Sequence, residues 1–113
     1  MIEDLITFKK TYDFLLWLKP KIEKFSKAHK YSLGIRLEDE MIELLRKIIE
    51  ANYSKEGKKK LIREAIIQYE IIKILIRISK DFKLISLKQY EYASEKLLEI
   101  GKLLGGWHKR FSK

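Results

Sequence analysis

The segment from Leu61 to Leu84 constrains the fold most, because it is apolar around far more of its circumference than a surface helix needs to be. It holds seven isoleucines between Ile66 and Ile78. At about 100° per residue, most of its polar side chains gather on one stripe, formed by Arg63, Glu70, Lys73, Arg77 and Lys80. A helix that faces one core needs an apolar arc of roughly 100°, and this segment offers about twice that. The pattern predicts a helix covered by a second partner, with a mostly basic stripe left to bind an anion.

Length and composition narrow the class of protein. A chain of 113 residues predicts one domain, and it contains no run of about twenty uncharged apolar residues that could span a membrane. Glu3 and Asp4 stand where a signal peptide would be basic. The chain has no cysteine, which excludes a disulfide framework and a thiolate metal site. We therefore expect a cytoplasmic protein with no membrane partner.

The net charge of +9 is unevenly distributed along the chain. Residues 54–83 carry +5, whereas residues 31–53 carry −2. Such an excess indicates a polyanionic partner, nucleic acid first. A second interpretation is a compositional bias of the genome, since lysine outnumbers arginine 20 to 5. That bias explains why lysine replaces arginine, but not why basic residues exceed acidic ones by nine.

The apolar spacing predicts four helices. The first runs from about Asp4 to Ala28, and Pro20 either kinks or restarts it. The second runs from about Ser32, as N-cap, to Tyr53, and its inner stripe is Leu33, Leu37, Met41, Leu44 and Ile48. The third is the isoleucine-rich segment. We expect short connections and hence an all-α, up-down four-helix bundle over residues 1–106.

The fourth helix has the clearest boundary signals. Ser86 and Gln89 have the spacing of a capping box at its start. Ser94 and Gly101 lie on its inner seam, where small side chains let a neighbouring helix approach. Gly105 and Gly106 predict its end, because glycine accepts the left-handed conformation that follows a helix.

A basic and aromatic tail, residues 107–113, follows that predicted end. It contains Trp107, Phe111, Lys109 and Arg110. Trp107 has two interpretations, docking against the bundle or direct contact with a ligand. The run from Lys58 to Lys60 is likewise either a solvated loop or a phosphate contact.

Nothing in the chain indicates catalysis. His29 and His108 are far apart in sequence, and the Glu-x-x-His spacing of di-metal bundles is absent. Both histidines fit a solvated or anion-contacting role. No glycine-rich phosphate loop follows a strand. We expect no enzyme activity, no cofactor and no metal site.

Three stretches of the chain resemble the accessory variability determinant protein of diversity-generating retroelements. The first stretch is Thr11 to Pro20, the second is Phe25 to Lys30 together with Leu33 to Glu38, and the third is Ser86 to Trp107. In addition, Ile78 to Leu84 resembles the ending of that family's third helix. The first stretch together with the Gly-Gly-Trp ending is the most specific part. Ser26 stands where the family often has proline, and Lys27, Lys30 and Lys109 stand where arginine is common. These lysines keep the positive charge, but they cannot bind a phosphate through two parallel hydrogen bonds as the planar guanidinium of arginine does.

The resemblance implies a homo-oligomer, a pentameric barrel, that associates with a reverse transcriptase. It also implies binding to RNA or DNA and support for mutagenic copying of a template RNA. Two alternatives stand beside it: a four-helix-bundle protein of the ribosomal RNA intervening-sequence type, and a structural module that binds an acidic protein. The candidate phosphate-binding residues are Lys73, Arg77, Lys80 and Lys83 first, then Lys58, Lys59, Lys60, Lys27, Lys30, Arg36, Lys109 and Arg110.

Overall fold

The computed structural model describes residues 5–111, and all the regular structure in that range is helical. The helices are α1 (Ile6–Glu23), α2 (Lys27–His29), α3 (Ile35–Tyr53), α4 (Lys58–Asp81) and α5 (Leu87–Arg110). A π-helical turn, Lys30–Gly34, joins α2 to α3 without a break. Across the described part of the chain, no helix combines the length and the apolar character that crossing a membrane requires.

The four long helices form an up-down bundle, as the sequence predicts. α1 packs against α3 and α5, and α4 packs against the same two helices, so the four form a closed square. The molecule measures 44 × 23 × 22 Å. Short connections between successive long helices fix this antiparallel order.

The core consists of one buried stripe from each long helix. In α3, four of the five residues of the predicted inner stripe are buried: Leu37, Met41, Leu44 and Ile48. In α4 the buried stripe is Ile62, Ala65, Tyr69, Ile72, Ile76 and Ser79. Steps of three and four residues place each set on one side of its helix, which is why periodicity alone identified the bundle.

The junction between the first two long helices differs from the sequence prediction. α1 contains Pro20 and ends at Glu23, and the next helical segment already begins at Lys27. The predicted N-cap Ser32 lies inside the π-helical turn, where its hydroxyl donates to the carbonyl of Ala28 at 2.9 Å. A serine hydroxyl can bond backwards along a helix as readily as it caps one, so the residue type did not fix the boundary.

Two glycines allow close packing between helices. The sequence predicts close approach at Ser94 and Gly101, but Ser94 is exposed rather than on the inner seam. A Cβ on Gly101 of α5 would lie 2.7 Å from Cζ of the buried Tyr69 ring, so only glycine admits this ring. This contact confirms Gly101 as a point of close helix approach. Gly34 has a similar role, because a Cβ there would lie 3.0 Å from Cγ2 of Ile22.

The sequence predicts the start of α5 correctly but not its end. At its start, the hydroxyl of Ser86 accepts from the Gln89 amide at 3.0 Å, and the Ser86 amide donates to the Gln89 side chain at 2.8 Å, which confirms the capping box. At its end, the prediction of a stop at Gly105 and Gly106 is wrong, because the helix continues to Arg110.

The buried Trp107 explains why α5 continues through two glycines. Trp107 extends the core stripe of Ala93, Leu97, Ile100 and Leu104, and only 4% of it is exposed. The two glycines together cost about 2 kcal/mol relative to alanine, and full burial of a side chain the size of phenylalanine contributes about 1.5–3 kcal/mol, so burial of the larger Trp107 side chain can offset them. Trp107 is therefore a core residue. Residues 107–110 belong to the bundle, Phe111 is the C-cap residue, and residues 112–113 of the predicted tail lie outside the described range.

Two rows of apolar side chains point away from the core. On α4, Ile67, Ile71 and Ile74 are exposed and Ile78 is half-buried, at spacings of four, three and four residues. We call this row the α4 seam. On α3, Ile35, Ile42 and Ile49 are exposed at intervals of seven residues, and we call them the α3 seam. The α4 seam is the surplus apolar surface expected from the sequence, whereas the α3 seam was not anticipated.

Candidate nucleic-acid interface

Three of the leading candidate cations lie on one flank of α4, beside α5. Lys73, Arg77 and Lys80 are spaced at i, i+4 and i+7, which projects them along one line. Lys73 and Arg77 border a groove of about 410 Å³ between the two helices. The groove is also lined by the aromatic rings of Tyr69 and Tyr90 and by apolar side chains that include Ile74 and Leu98. A cationic rim on an aromatic and apolar floor is a surface suited to nucleic acid.

Lys73 and Lys80 already have partners within the chain. The Lys73 ammonium lies 3.1 Å from Glu70 and 5.2 Å from the centre of the Tyr69 ring. The hydrogen bond to the Glu70 carboxylate raises the pKa of Lys73 above its ordinary value. Lys80 lies 3.2 Å from Asp81 and 4.8 Å from the centre of the Tyr90 ring. These solvent-exposed ion pairs are worth about 0–1 kcal/mol, so an incoming phosphate can displace them.

Arg77 differs from its two neighbours. It is exposed, and among residues 5–111 no carboxylate forms an ion pair with its guanidinium. Arginine presents a planar fork of donors that matches a phosphate group. Arg77 is therefore the cation of this row with the least competition for a phosphate.

Lys83 follows the end of α4 in a left-handed conformation, with φ +62°. Two hydrogen bonds hold the turn: the Leu84 amide donates to the Ser79 carbonyl, and the Lys83 amide donates to the Lys80 carbonyl, each at 2.8 Å. This pair of bonds is the Schellman motif, whose left-handed position usually holds glycine. The lysine at this position projects its ammonium from an exposed corner of the bundle.

The structure brings Lys27 and Lys30 to the same end of the bundle as Lys83. The link is a ring stack between His29 and Phe82, with ring centres 5.2 Å apart and an interplanar angle of 30°. Phe82 immediately precedes Lys83, and His29 lies between the other two lysines. Lys30 also lies 5.7 Å from the ring centre of the exposed Tyr31. We call this group of Lys27, His29, Lys30, Tyr31, Phe82 and Lys83 the aromatic–basic end.

The remaining candidates, apart from Arg36, form a second basic cluster at the opposite end. Because α4 and α5 are antiparallel, Lys58, Lys59 and Lys60 at the start of α4 lie near the end of α5, which carries Lys109 and Arg110. Lys58 is engaged: it donates to the Asn52 carbonyl at 3.5 Å and lies 5.1 Å from the centre of the Phe111 ring. At 1.5 Å per residue, the 24 residues of α4 separate the two ends by about 36 Å.

Arg36 stands apart from both clusters. It lines a separate groove between α3 and α4, where Ser32, Leu33, Glu40, Ile71 and Leu75 are its neighbours. The twelve candidates thus occupy three places: the α4 flank with the aromatic–basic end, the opposite end, and this groove.

Phe82 and Tyr31 are surface residues that the sequence analysis did not select. Both are well exposed, at 59% and 62%. Their apolar character would place them in the core by composition alone, and only their position at the helix ends distinguishes them from core residues. Exposed rings beside lysines that form no ion pair in the described part of the chain can be recognised only once the fold is known.

No metal centre is found in the described range. There, no group of three or more His, Asp or Glu side chains is arranged to hold a metal ion. The ring of His29 is stacked on Phe82, and His108 lies half-buried in the last turns of α5.

Comparisons with known proteins identify the family of the chain. A search of curated proteins found no match, and neither did a search of solved structures. The model of the bAvd-like family matches residues 5–111, which is nearly the whole chain. This match confirms the resemblance carried by the first helix and by the Gly-Gly-Trp ending. The chain therefore belongs to the bAvd-like family of accessory variability determinant proteins.

Proposed function

We propose that this chain is a non-enzymatic accessory protein that binds nucleic acid and works with the reverse transcriptase of a retroelement. Its role would be to support copying of a template RNA during mutagenic retrohoming, in the cytoplasm. Family membership supports the partnership with a reverse transcriptase. The observation that carries the nucleic-acid proposal is the row from Lys73 to Lys80, because it joins an aromatic groove to the basic corner at Lys83 and includes Arg77, which forms no ion pair within residues 5–111.

We further propose that the active form is a homo-oligomer, and a pentamer by its resemblance to the family. The α4 seam supports this proposal, since Ile67 and Ile74 are each more than half exposed. A continuous exposed row of isoleucines is unusual on a monomer and typical of a protein interface.

The α3 seam gives the α4 seam a complementary counterpart. The segment that contains the α3 seam carries −2, including the exposed Asp39 and Glu50, whereas the segment that contains the α4 seam carries +5, including the exposed Arg63. An interface between two different patches of the same chain is head-to-tail, and such contacts close into a ring when the rotation from one copy to the next divides a full turn evenly. We propose that the α3 seam of one copy packs on the α4 seam of the next.

The nucleic-acid proposal is tested by removing two cations of the row. Replacing Arg77 and Lys80 together by alanine should weaken RNA and DNA binding. For two lost phosphate contacts, the magnitude of the slope of log K against log salt should fall by about 1.8 on duplex DNA and by about 1.4 on a single strand. The melting temperature should change little, because Arg77 is exposed and an ion pair at the surface, such as that of Lys80 with Asp81, contributes about 0–1 kcal/mol.

The matched control removes two exposed cations elsewhere, Arg46 on α3 and Lys102 on α5. This control has the same net charge as the test variant, so a general charge effect would weaken both equally. Unchanged affinity in the Arg77 and Lys80 variant would refute this surface as the main phosphate contact.

A further inference from the structure

Phe82 is exposed in a way that packing does not explain. It caps the C-terminus of α4, its backbone amide donates to the Ile78 carbonyl at 2.9 Å, and 59% of the residue is exposed. The neighbouring Ile85, by contrast, is buried and anchors the loop in the core. The Phe82 ring therefore contributes little to the core, and its described aromatic contact is the stack on His29.

The stack on His29 orients Phe82 and leaves ring surface open to solvent. His29 lies just before the π-helical turn, on an element separate from α4. Because the His29 ring stacks on one face of Phe82, the Phe82 ring is held in one orientation before a ligand binds. Less side-chain conformational entropy is therefore lost on binding. An aromatic face of this kind can stack on a nucleic-acid base, and it can do so only if that base is unpaired or splayed out of a helix.

Cations flank this ring on both chain segments. Lys83 is the next residue, and its left-handed backbone turns it out of the direction of α4. Lys27 is two residues before His29 and is exposed. The nearest carboxylate in sequence, that of Asp81, pairs with Lys80 at 3.2 Å. The Phe82 ring therefore lies beside positive charges, and these would attract the phosphate backbone of a strand whose base stacks on the ring.

We propose that the aromatic–basic end binds single-stranded nucleic acid, with an unpaired base stacked on Phe82 and the adjacent phosphates held by Lys83 and Lys27. This inference rests on the proposed nucleic-acid function and adds a preference to it. The row along α4 contacts phosphates of any strand, whereas the Phe82 face selects strands whose bases are free.

The decisive variant is Phe82→Leu, which keeps an apolar side chain but removes the ring. Three DNA probes are used: a 20-nucleotide oligo(dA) strand, a 20-nucleotide abasic strand, and a blunt-ended duplex of 20 base pairs. Phe82→Leu should lower affinity for oligo(dA) about 10-fold, as loss of one stacked base predicts, and change affinity for the abasic strand and the duplex less than 2-fold. Phe82→Tyr should retain wild-type affinity for all three probes.

Two further variants separate stacking from general effects. Leu87→Ala removes an equally exposed apolar side chain at the same end and should leave all three affinities unchanged. Lys83→Gly removes a charge but suits the left-handed backbone, so it should weaken binding to all three probes without lowering the melting temperature.

The outcomes are distinguishable. If wild-type protein binds none of the probes at low salt, the nucleic-acid function itself is wrong. If wild-type protein binds but Phe82→Leu has no effect, or weakens the abasic strand as much as oligo(dA), the stacking proposal is wrong. If Phe82→Leu instead changes the oligomer mass, Phe82 is a contact between copies, and this also overturns the proposal.

Discussion

At the scale of single residues, the glycines of α5 show how one residue type has opposite roles in one helix. Gly101 is half-buried against the ring of Tyr69, whereas a Cβ on Gly105 would meet nothing within 4 Å. Both lie inside a helix, where glycine costs about 1 kcal/mol relative to alanine. The surroundings of each Cα therefore decide the effect of adding one methyl group.

Gly101→Ala should destabilise the bundle by about 1–3 kcal/mol, because its Cβ would lie 2.7 Å from Cζ of the rigid Tyr69 ring. Gly105→Ala, the matched control, should stabilise it by up to about 1 kcal/mol. Urea unfolding followed by circular dichroism measures both. A Gly101→Ala protein as stable as its Gly105→Ala counterpart would show that the Tyr69 ring moves aside freely.

Residue types also explain which boundaries the sequence could predict. Ser86 and Gln89 specify a capping box through two mutual hydrogen bonds, and these form. Gly105 and Gly106 carry only a local preference, which the burial of Trp107 outweighs. Lys83 occupies a left-handed position without the glycine that usually marks one, so no sequence signal predicted the Schellman turn.

At the scale of helices, the two outward seams carry the proposed contact between copies of the chain. Periodicity predicted the surplus apolar face of α4, because its isoleucines exceed what one core requires. It did not predict the α3 seam, because Ile35, Ile42 and Ile49 recur every seven residues and can be assigned to the core or to the surface equally well. Only the burial of Leu37, Met41 and Leu44 on the other side resolves that choice.

The head-to-tail pairing of the seams predicts complementation between two variants. Ile42→Lys disrupts the α3 seam and Ile74→Lys disrupts the α4 seam, and each side chain is at least half exposed, so both variants should stay helical. Each alone should fail to form the closed ring. An equimolar mixture should give a heterodimer, because one intact α3 seam meets one intact α4 seam. Light scattering coupled to size exclusion measures these masses.

The control is Leu16→Lys on α1, an exposed apolar residue outside both seams, which should assemble like the wild type. If the α4 seam instead paired with itself, Ile42→Lys would remain a dimer and the mixture would show no new species. A wild-type protein with the mass of one 13.6 kDa chain at micromolar concentration would contradict the oligomer itself.

At the scale of the whole molecule, the bundle was more predictable from the sequence than the candidate binding surface. Core stripes repeat over four long helices, so an error at one boundary leaves the architecture unchanged. The candidate site depends instead on where helix ends meet. Lys27 and Lys83 are far apart in sequence and come together only through the stack of His29 on Phe82, which no periodicity encodes.

The positive charge is likewise arranged by the fold. The fold places lysines at the aromatic–basic end of a molecule 44 Å long and lysines with Arg110 at the opposite end, with the row from Lys73 to Lys80 between them. A closed ring of such subunits would repeat this pattern around its axis and raise the local positive potential. The proposed binding to a long polyanion would depend on that repetition more than on any single contact.

The most direct test of the central claim is the affinity of the wild-type protein for single-stranded RNA as a function of salt concentration. If the basic surface contacts phosphates, log K should fall linearly with log salt, with a slope of about −0.7 for each phosphate contacted. A polyglutamate peptide of equal charge should bind more weakly at every concentration. Absence of RNA binding at about 50 mM salt, or tighter binding to the peptide than to RNA, would contradict a nucleic-acid function.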